Sequence, residues 1–198
     1  PLTLTIANCY MFFFEEKILN QVKNSHGLYL RYIDDIFLAI NWPQRHLLKQ
    51  IERWNEFDIN IKLEAHVDLS ANFLDLHMEN RDGKLITKVY HKPSYEPYYL
   101  PFSSVHPMHM KKNIPFAMLV RAIRYCSTFQ LFINERESLR MALLLNKYPN
   151  QLVETQFSRI FDKFKIENNI TIENYKRIRS QVIMTPYQEK VGIDHEQN

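Results

Sequence analysis

Long apolar runs are missing from this chain. None approaches the roughly 20 residues that a membrane span requires, so no transmembrane helix and no membrane partner is expected. The N-terminus lacks a basic region followed by an apolar one, so no secretory signal is expected either. Cysteine is scarce: Cys9 and Cys126 stand far apart without partner spacing. That argues against a zinc site and for a reducing compartment, nuclear or otherwise intracellular. Glycine occurs three times in 198 residues, and there is no low-complexity segment or internal repeat. The chain opens inside what reads as a helix, so both ends look cut.

What is present is enough for a real core: 45% hydrophobic and 13% aromatic residues, in a length that fits one domain or a domain with a small appendage. The net charge of +3 hides a gradient. Residues 1–80 carry 7 Lys+Arg against 11 Asp+Glu, residues 81–130 carry 8 against 2, and residues 131–198 carry 10 against 9. The basic middle also holds His91, His106, His109 and five tyrosines. Basic residues interleaved with aromatics suit a phosphate backbone and stacked bases. A solvated face is the competing reading.

The acidic part contains Arg31-Tyr32-Ile33-Asp34-Asp35-Ile36-Phe37. A charge in such an apolar stretch costs several kcal/mol unless it is paired or holds a cation, and adjacent like charges raise each other's pKa. A divalent ion relieves both penalties, since aspartate oxygens are the ligands Mg2+ prefers. Consecutive side chains of a regular strand face opposite ways, so the bland alternative is one solvated Asp and one turn residue. The pair converges only if a tight turn falls at Ile33 to Asp35, with Leu28–Tyr32 and Ile36–Ile40 as antiparallel arms. No glycine marks that turn.

Patterning predicts a helix over 6–19, the aspartate hairpin, and a helix over 44–57 after Pro43 with Leu47, Leu48, Ile51 and Trp54 as its buried stripe. Alternation of Ile59, Ile61, Leu63, Ala65 and Val67 predicts a strand. A strand over 72–78 and a hairpin turn at Asp82-Gly83 follow, with the return arm at 85–91. This reads as an antiparallel sheet with helices packed on one face, an α+β arrangement. After Pro93 an irregular aromatic stretch leads to helices. One starts near Pro115, with Leu119, Ile123 and Cys126 on one face. One is capped by Asn134 with Glu137 as box partner. One starts at Pro149-Asn150, with Val153, Phe157, Ile160, Phe161 and Phe164 on its stripe, and a last one covers 172–183.

In its order of motifs the chain resembles the reverse transcriptase of Penelope-like retroelements over nearly its whole length. Arg31 to Phe37 is similar to the catalytic palm hairpin of reverse transcriptases. The resemblance is narrowed by Asn72-Phe73-Leu74-Asp75-Leu76, where most other reverse transcriptases have Gly in place of Asp75. It is narrowed further by Tyr90-His91-Lys92-Pro93-Ser94, Tyr99-Leu100, Ser104-Val105-His106-Pro107 with Lys111, Arg121 with Tyr125-Cys126-Ser127, and Tyr148-Pro149. The resemblance implies an antiparallel palm sheet with packed helices over residues 1–107, primer grip included. It implies an all-helical thumb-like bundle and the start of a connector, Met184-Thr185-Pro186-Tyr187, over 108–198.

It also implies an RNA-directed DNA polymerase acting on an RNA template, a DNA primer and deoxynucleoside triphosphates. Asp34 and Asp35 would be the catalytic residues and ligands of a two-metal Mg2+ or Mn2+ site, with Asp34 the more direct. Tyr32, Arg31, Ala7 and Asn8 would lie near primer or nucleotide, Pro1 to Asn8, with Glu15 or Glu16 beyond, being similar to the end of the family's template- and nucleotide-contacting helix. That helix commonly has Ser-Pro where this chain has Thr3-Leu4-Thr5. Lys88, Lys92, Tyr98, Tyr99, His106, Lys111, Lys112, Arg121 and Arg124 would meet nucleic acid. The fingers, the strand with the third metal-binding aspartate, and the family's GIY-YIG nuclease are not in the sequence. The chain is therefore expected to be a palm-and-thumb fragment, inactive by itself, with a non-catalytic nucleic-acid-binding remnant as the alternative. Its oligomeric state is not implied.

Overall fold

A run free of glycine and proline from Leu2 onward lets the first helix, α1, extend over Leu2–Asn24, beyond the 6–19 expected at both ends. It stops where His26 enters the left-handed region (φ +54°) and Gly27 donates its N–H to Val22 O at 2.9 Å. A Cβ on Gly27 would lie 2.9 Å from Val22 Cγ1 and 3.0 Å from Ala39 O, so only glycine fits this close approach. The computed structural model describes residues 2–94, 96, 99–166 and 169–185. The chain divides into two compact units, Pro1–Leu74 and Asp75–Asn198.

In the first unit, β1 (Leu28–Tyr32) and β2 (Asp35–Ala39) form the expected antiparallel hairpin, with Leu28 opposite Ala39 and Tyr32 opposite Asp35. Helix α2 (Gln44–Trp54) begins after Pro43, whose fixed φ suits a helix start. Phe14, Ile18 and Val22 of α1 bury against Leu47 and Trp54 of α2, with Tyr29, Leu38, Ile61, Leu63 and Val67 packed around them.

The strand expected over 59–67 does not form, and the reason is local. The Asn55 side chain takes the place of a partner strand: its Nδ2 donates to Leu63 O at 3.0 Å and its Oδ1 accepts from Leu63 N at 2.5 Å. Ile61, Leu63 and Val67 still face the core, but Ile59 is 87% exposed. The stretch read as one strand over 72–78 is broken by a turn at Leu74 (φ +54°), leaving β3 as Ser70–Phe73.

In the second unit, β4 (Leu76–Arg81) and β5 (Lys84–Val89) pair antiparallel about Asp82-Gly83. Both turn residues have positive φ, +52° and +78°, as a two-residue hairpin requires. Four helices follow: α3 (Met108–Tyr125), α4 (Phe129–Leu145), α5 (Asn150–Phe164) and α6 (Tyr175–Met184). Pro115 lies inside α3 and is buried, instead of starting it. Thr128, whose Oγ1 accepts from Leu131 N at 3.3 Å, caps α4, and Asn134 lies exposed in mid-helix, its Oδ1 accepting from Gln130 Nε2. One core runs through the unit, from Val89 of β5 through Phe116 and Ile123 of α3, Phe132 and Leu143 of α4, and Phe157 and Ile160 of α5 to Ile178 and Val182 of α6. The molecule is thus α+β: small antiparallel hairpins with helices, then a helical C-terminal region. Among the described residues no helix is long and apolar enough to cross a membrane.

Candidate functional site

The hairpin turns on two residues, Ile33 and Asp34. Ile33 sits at φ +56°, a left-handed conformation that costs a β-branched residue on the order of 1–3 kcal/mol. Asp34 at the turn and Asp35 at the head of β2 are both exposed. Tyr32, opposite Asp35, is 56% exposed. The site therefore presents two consecutive carboxylates and a phenol at the open end of a strained turn.

Strand alternation sends Tyr29 and Arg31 the other way, toward α1. There they meet Glu15, which is only 7% exposed. Arg31 Nε donates to Glu15 Oε2 at 2.7 Å and Nη2 to Oε1 at 3.3 Å, a two-point clamp. Arg31 Nη1 reaches Asn8 Oδ1 at 3.1 Å and the carbonyl of Ile33 at 2.9 Å. One guanidinium thus ties the turn's own backbone to α1. Tyr29 donates to Glu15 Oε2 at 3.0 Å. Burial first, then the neighbouring Glu15 charge, pushes the Tyr29 phenol well above its ordinary pKa, and the bond to Glu15 raises that of Arg31. Of the residues expected near primer or nucleotide, Arg31 and Asn8 are therefore in direct contact. Ala7 is exposed on α1 one position before Asn8. Among the described residues, no group of three or more His, Cys, Asp or Glu converges to hold a metal. Two carboxylates alone do not make a two-metal site.

The expected nucleic-acid contacts in the second unit separate into two groups. Lys88, Lys92, His106 and Lys112 are exposed. Lys88 stands opposite His77 in the β4–β5 ladder, where burial and then the lysine charge lower the imidazole pKa. The others are built into the structure. Lys111 is 7% exposed, and its ammonium donates to the carbonyls of Phe102 and Ser104, both at 2.9 Å. Arg124 donates to the carbonyls of Val182 and Thr185, closing the C-terminal end of α6. Arg121 pairs with Asp75 at 3.3 Å and lies over the Tyr125 ring. Tyr99 is partly buried against the core. Tyr98 lies outside the described residues, as do Pro186 and Tyr187 of the connector.

Other motif residues prove architectural too. Thr87 N donates to Ser127 Oγ at 3.0 Å, Ser127 N returns to Thr87 O at 2.9 Å, and Thr87 Oγ1 donates to Tyr125 O at 2.6 Å. These bonds tie β5 to the α3–α4 corner. His91 Nε2 pairs with Glu135 of α4 at 2.9 Å. Tyr148 donates to Leu100 O at 2.9 Å, and Phe102 N donates to Asn146 O at 3.0 Å. Tyr175 donates to the carbonyl of Cys126 at 2.7 Å.

The sequence pointed to Glu15 or Glu16 only as part of the helix that the resemblance places at the template, not to Glu15 as the anchor of the turn. An acid among Phe12, Phe13, Phe14 and Ile18 was the available signal, since a carboxylate on an apolar helix face needs a partner.

Residues 98–158 match the family model of an animal helix-turn-helix domain. The match takes in α3, α4 and the first part of α5, whose connections, 126–128 and 146–149, are as short as such turns are. It covers less than a third of the chain. No curated protein and no solved structure matches this chain.

Proposed function

We propose that this chain is the palm-and-thumb portion of an RNA-directed DNA polymerase of the Penelope-like kind. It would work inside the cell, in the nucleus or another reducing compartment, on an RNA template, a DNA primer and deoxynucleoside triphosphates. The observation that carries the reading is the exposed Asp34-Asp35 turn, with Ile33 in a strained conformation and the turn clamped to α1 through Arg31 and Glu15. Strain of this kind persists only where surrounding bonds enforce it, and the Arg31 clamp does so here. Divalent ions held at such a turn activate a 3′-hydroxyl and bind a triphosphate. The described residues supply two of the acids and no third, so the completing carboxylate would come from outside them. On this reading residues 1–107 correspond to palm and primer grip and residues 108–198 to the thumb-like part.

The test is Asp34→Asn in an enzyme completed with fingers and the third acid. Primer extension should fall by several powers of ten, each tenfold being about 1.4 kcal/mol of barrier, while primer-template binding stays nearly unchanged. Extension at the unmutated rate would overturn the reading.

A second reading is favoured by the helix-turn-helix match: a non-catalytic nucleic-acid-binding remnant. A completed enzyme that binds primer-template but extends nothing, with or without Asp34, would select it.

A further inference from the structure

A cleft of about 270 Å³ opens on the side of α1 turned away from the Arg31 clamp. Tyr10, Phe13 and Lys17 recur at helical spacing and share that side, whereas Asn8 and Glu15, which hold Arg31, are two turns apart on another. Phe14, Phe57 and Asp58 complete the lining. The rings of Tyr10, Phe13 and Phe57 are exposed. Phe14 lies buried beneath, edge-on to Phe57 with ring centres 6.4 Å apart. Leaving such rings in water is a cost that a flat ligand would remove.

Two charges border the rings. The Lys17 ammonium stands 5.2 Å from the centre of the Phe57 ring. The Asp58 carboxylate is fixed at both oxygens: Oδ2 accepts from the Tyr10 hydroxyl, and Oδ1 accepts from Asn60 N at 2.7 Å. The Tyr10 bond first, then the Asn60 bond, hold its pKa below the usual carboxylate range, so it is an acceptor only at neutral pH. Each oxygen keeps a lone pair, so Asp58 can accept from two neighbouring N–H groups on one ligand edge.

The cleft thus suits a ligand that is flat, carries two adjacent donors for Asp58 and carries an acceptor for Lys17. An arginine side chain has the plane and the donors but no acceptor. Its charge would also meet Lys17 and Lys62, the latter donating to the backbone carbonyls of Asn55 and Asp58. Adenine and cytosine set one exocyclic amine beside a bare ring nitrogen, and uracil has one N–H between two carbonyls. Guanine sets N1–H beside its 2-amino group, with O6 next to them.

We infer that this cleft is a guanine-binding site: the base stacks on Phe13 and Phe57, gives N1–H and N2–H to Asp58 and accepts from Lys17 at O6. The volume suits one base, supplied by a free nucleotide or by an unpaired guanosine of an RNA strand. The inference does not depend on the chain being a polymerase.

The experiment titrates the full 198-residue chain with guanosine monophosphate by calorimetry. EDTA is present, which keeps divalent ions off the acidic turn. Inosine monophosphate, lacking only the 2-amino group, should bind about tenfold more weakly. Lys17→Met should weaken guanosine monophosphate. Asp58→Asn puts a donor where guanine needs an acceptor. It should therefore weaken guanosine monophosphate and strengthen xanthosine monophosphate, whose O2 replaces the 2-amino group, a gain that misfolding cannot produce. Oligouridylate RNA with one central guanosine, set against all-uridine RNA, identifies the source. A guanosine-dependent gain that Asp58→Asn abolishes assigns the site to an RNA strand; binding of the mononucleotide without such a gain assigns it to the free nucleotide. Equal affinity for guanosine and inosine monophosphates would overturn the proposal. So would affinities for guanosine and xanthosine monophosphates that Asp58→Asn leaves unchanged. Binding of arginine methyl ester without discrimination among nucleotides would make the cleft a cation site and overturn it as well. No DNA synthesis is read, so failure here leaves the Asp34 test standing, and failure there leaves this one.

Discussion

The two units use their polar residues in opposite ways. In Asp75–Asn198, nineteen of the described residues form one core, and the polar residues that carry the resemblance are consumed in holding strand, loop and helices to it. Lys111 knots the 102–104 segment, Ser127 and Tyr125 bind Thr87, and Arg121 faces Asp75. In Pro1–Leu74, five buried residues make the core, and the polar residues divide the work. Glu15, Arg31 and Tyr29 are spent on structure so that Asp34, Asp35 and Tyr32 can stand exposed. A distinctive residue is thus no guide to chemistry by itself. What separates the two cases is whether its polar atoms are already satisfied by the protein.

The largest expected effect is on the first unit. Glu15→Gln leaves the Arg31 guanidinium, nearly buried, without its counter-charge, and should cost about 2–3 kcal/mol of unfolding free energy. Both tryptophans of the chain, Trp42 and Trp54, lie in this unit, their rings 6.4 Å apart, so intrinsic fluorescence in a urea titration reads it selectively. A change below about 0.5 kcal/mol would mean the clamp does not hold the turn.

Next in size, Lys111→Met removes both bonds to the 102–104 carbonyls and should lower stability by about 1–2 kcal/mol. The salt slope of duplex binding should stay as in the unmutated chain, because a buried ammonium neutralises no phosphate. A slope shallower by a whole phosphate's worth would break the contrast between the two units.

Smallest is the pH effect of Tyr29. A phenol held above its ordinary pKa of 10.0 contributes stability that is whole below pH 10 and is lost as pH climbs past that value toward the folded-state pKa. Tyr29→Phe should cost about 1 kcal/mol at pH 8, and the difference from the unmutated chain should shrink as pH rises above 10. A difference that grows over that range would contradict the sign.

Much of this was legible. The aspartate hairpin, the Asp82-Gly83 turn and the stripe of α5 follow from residue spacing, because in each the local pattern and the tertiary context agree. The failures share one cause: a side chain or a packing contact overrode a backbone signal. Asn55 replaced a strand partner for Leu63, which no alternation pattern reveals. Pro115 was absorbed into α3, where it and Phe116 are buried. Thr128 outcompeted Asn134 as a cap because it lies at the true corner after Cys126. At the site, Asp34 and Asp35 stood out as charges in an apolar run. Lys111 and Arg124 looked equivalent to Lys112, since sequence does not tell a lysine facing water from one facing carbonyls.

The two thiols of the chain are as unequal as the two units. Cys126 is fully enclosed, and burial pushes its pKa up to about 11, so almost none of it is thiolate at neutral pH. Cys9 is exposed on α1, next to the Asn8 that Arg31 holds. A maleimide dye or nitroxide should therefore attach at one position without any engineered cysteine. The chain comes with a spectroscopic ruler one residue from the network that sets the acidic turn.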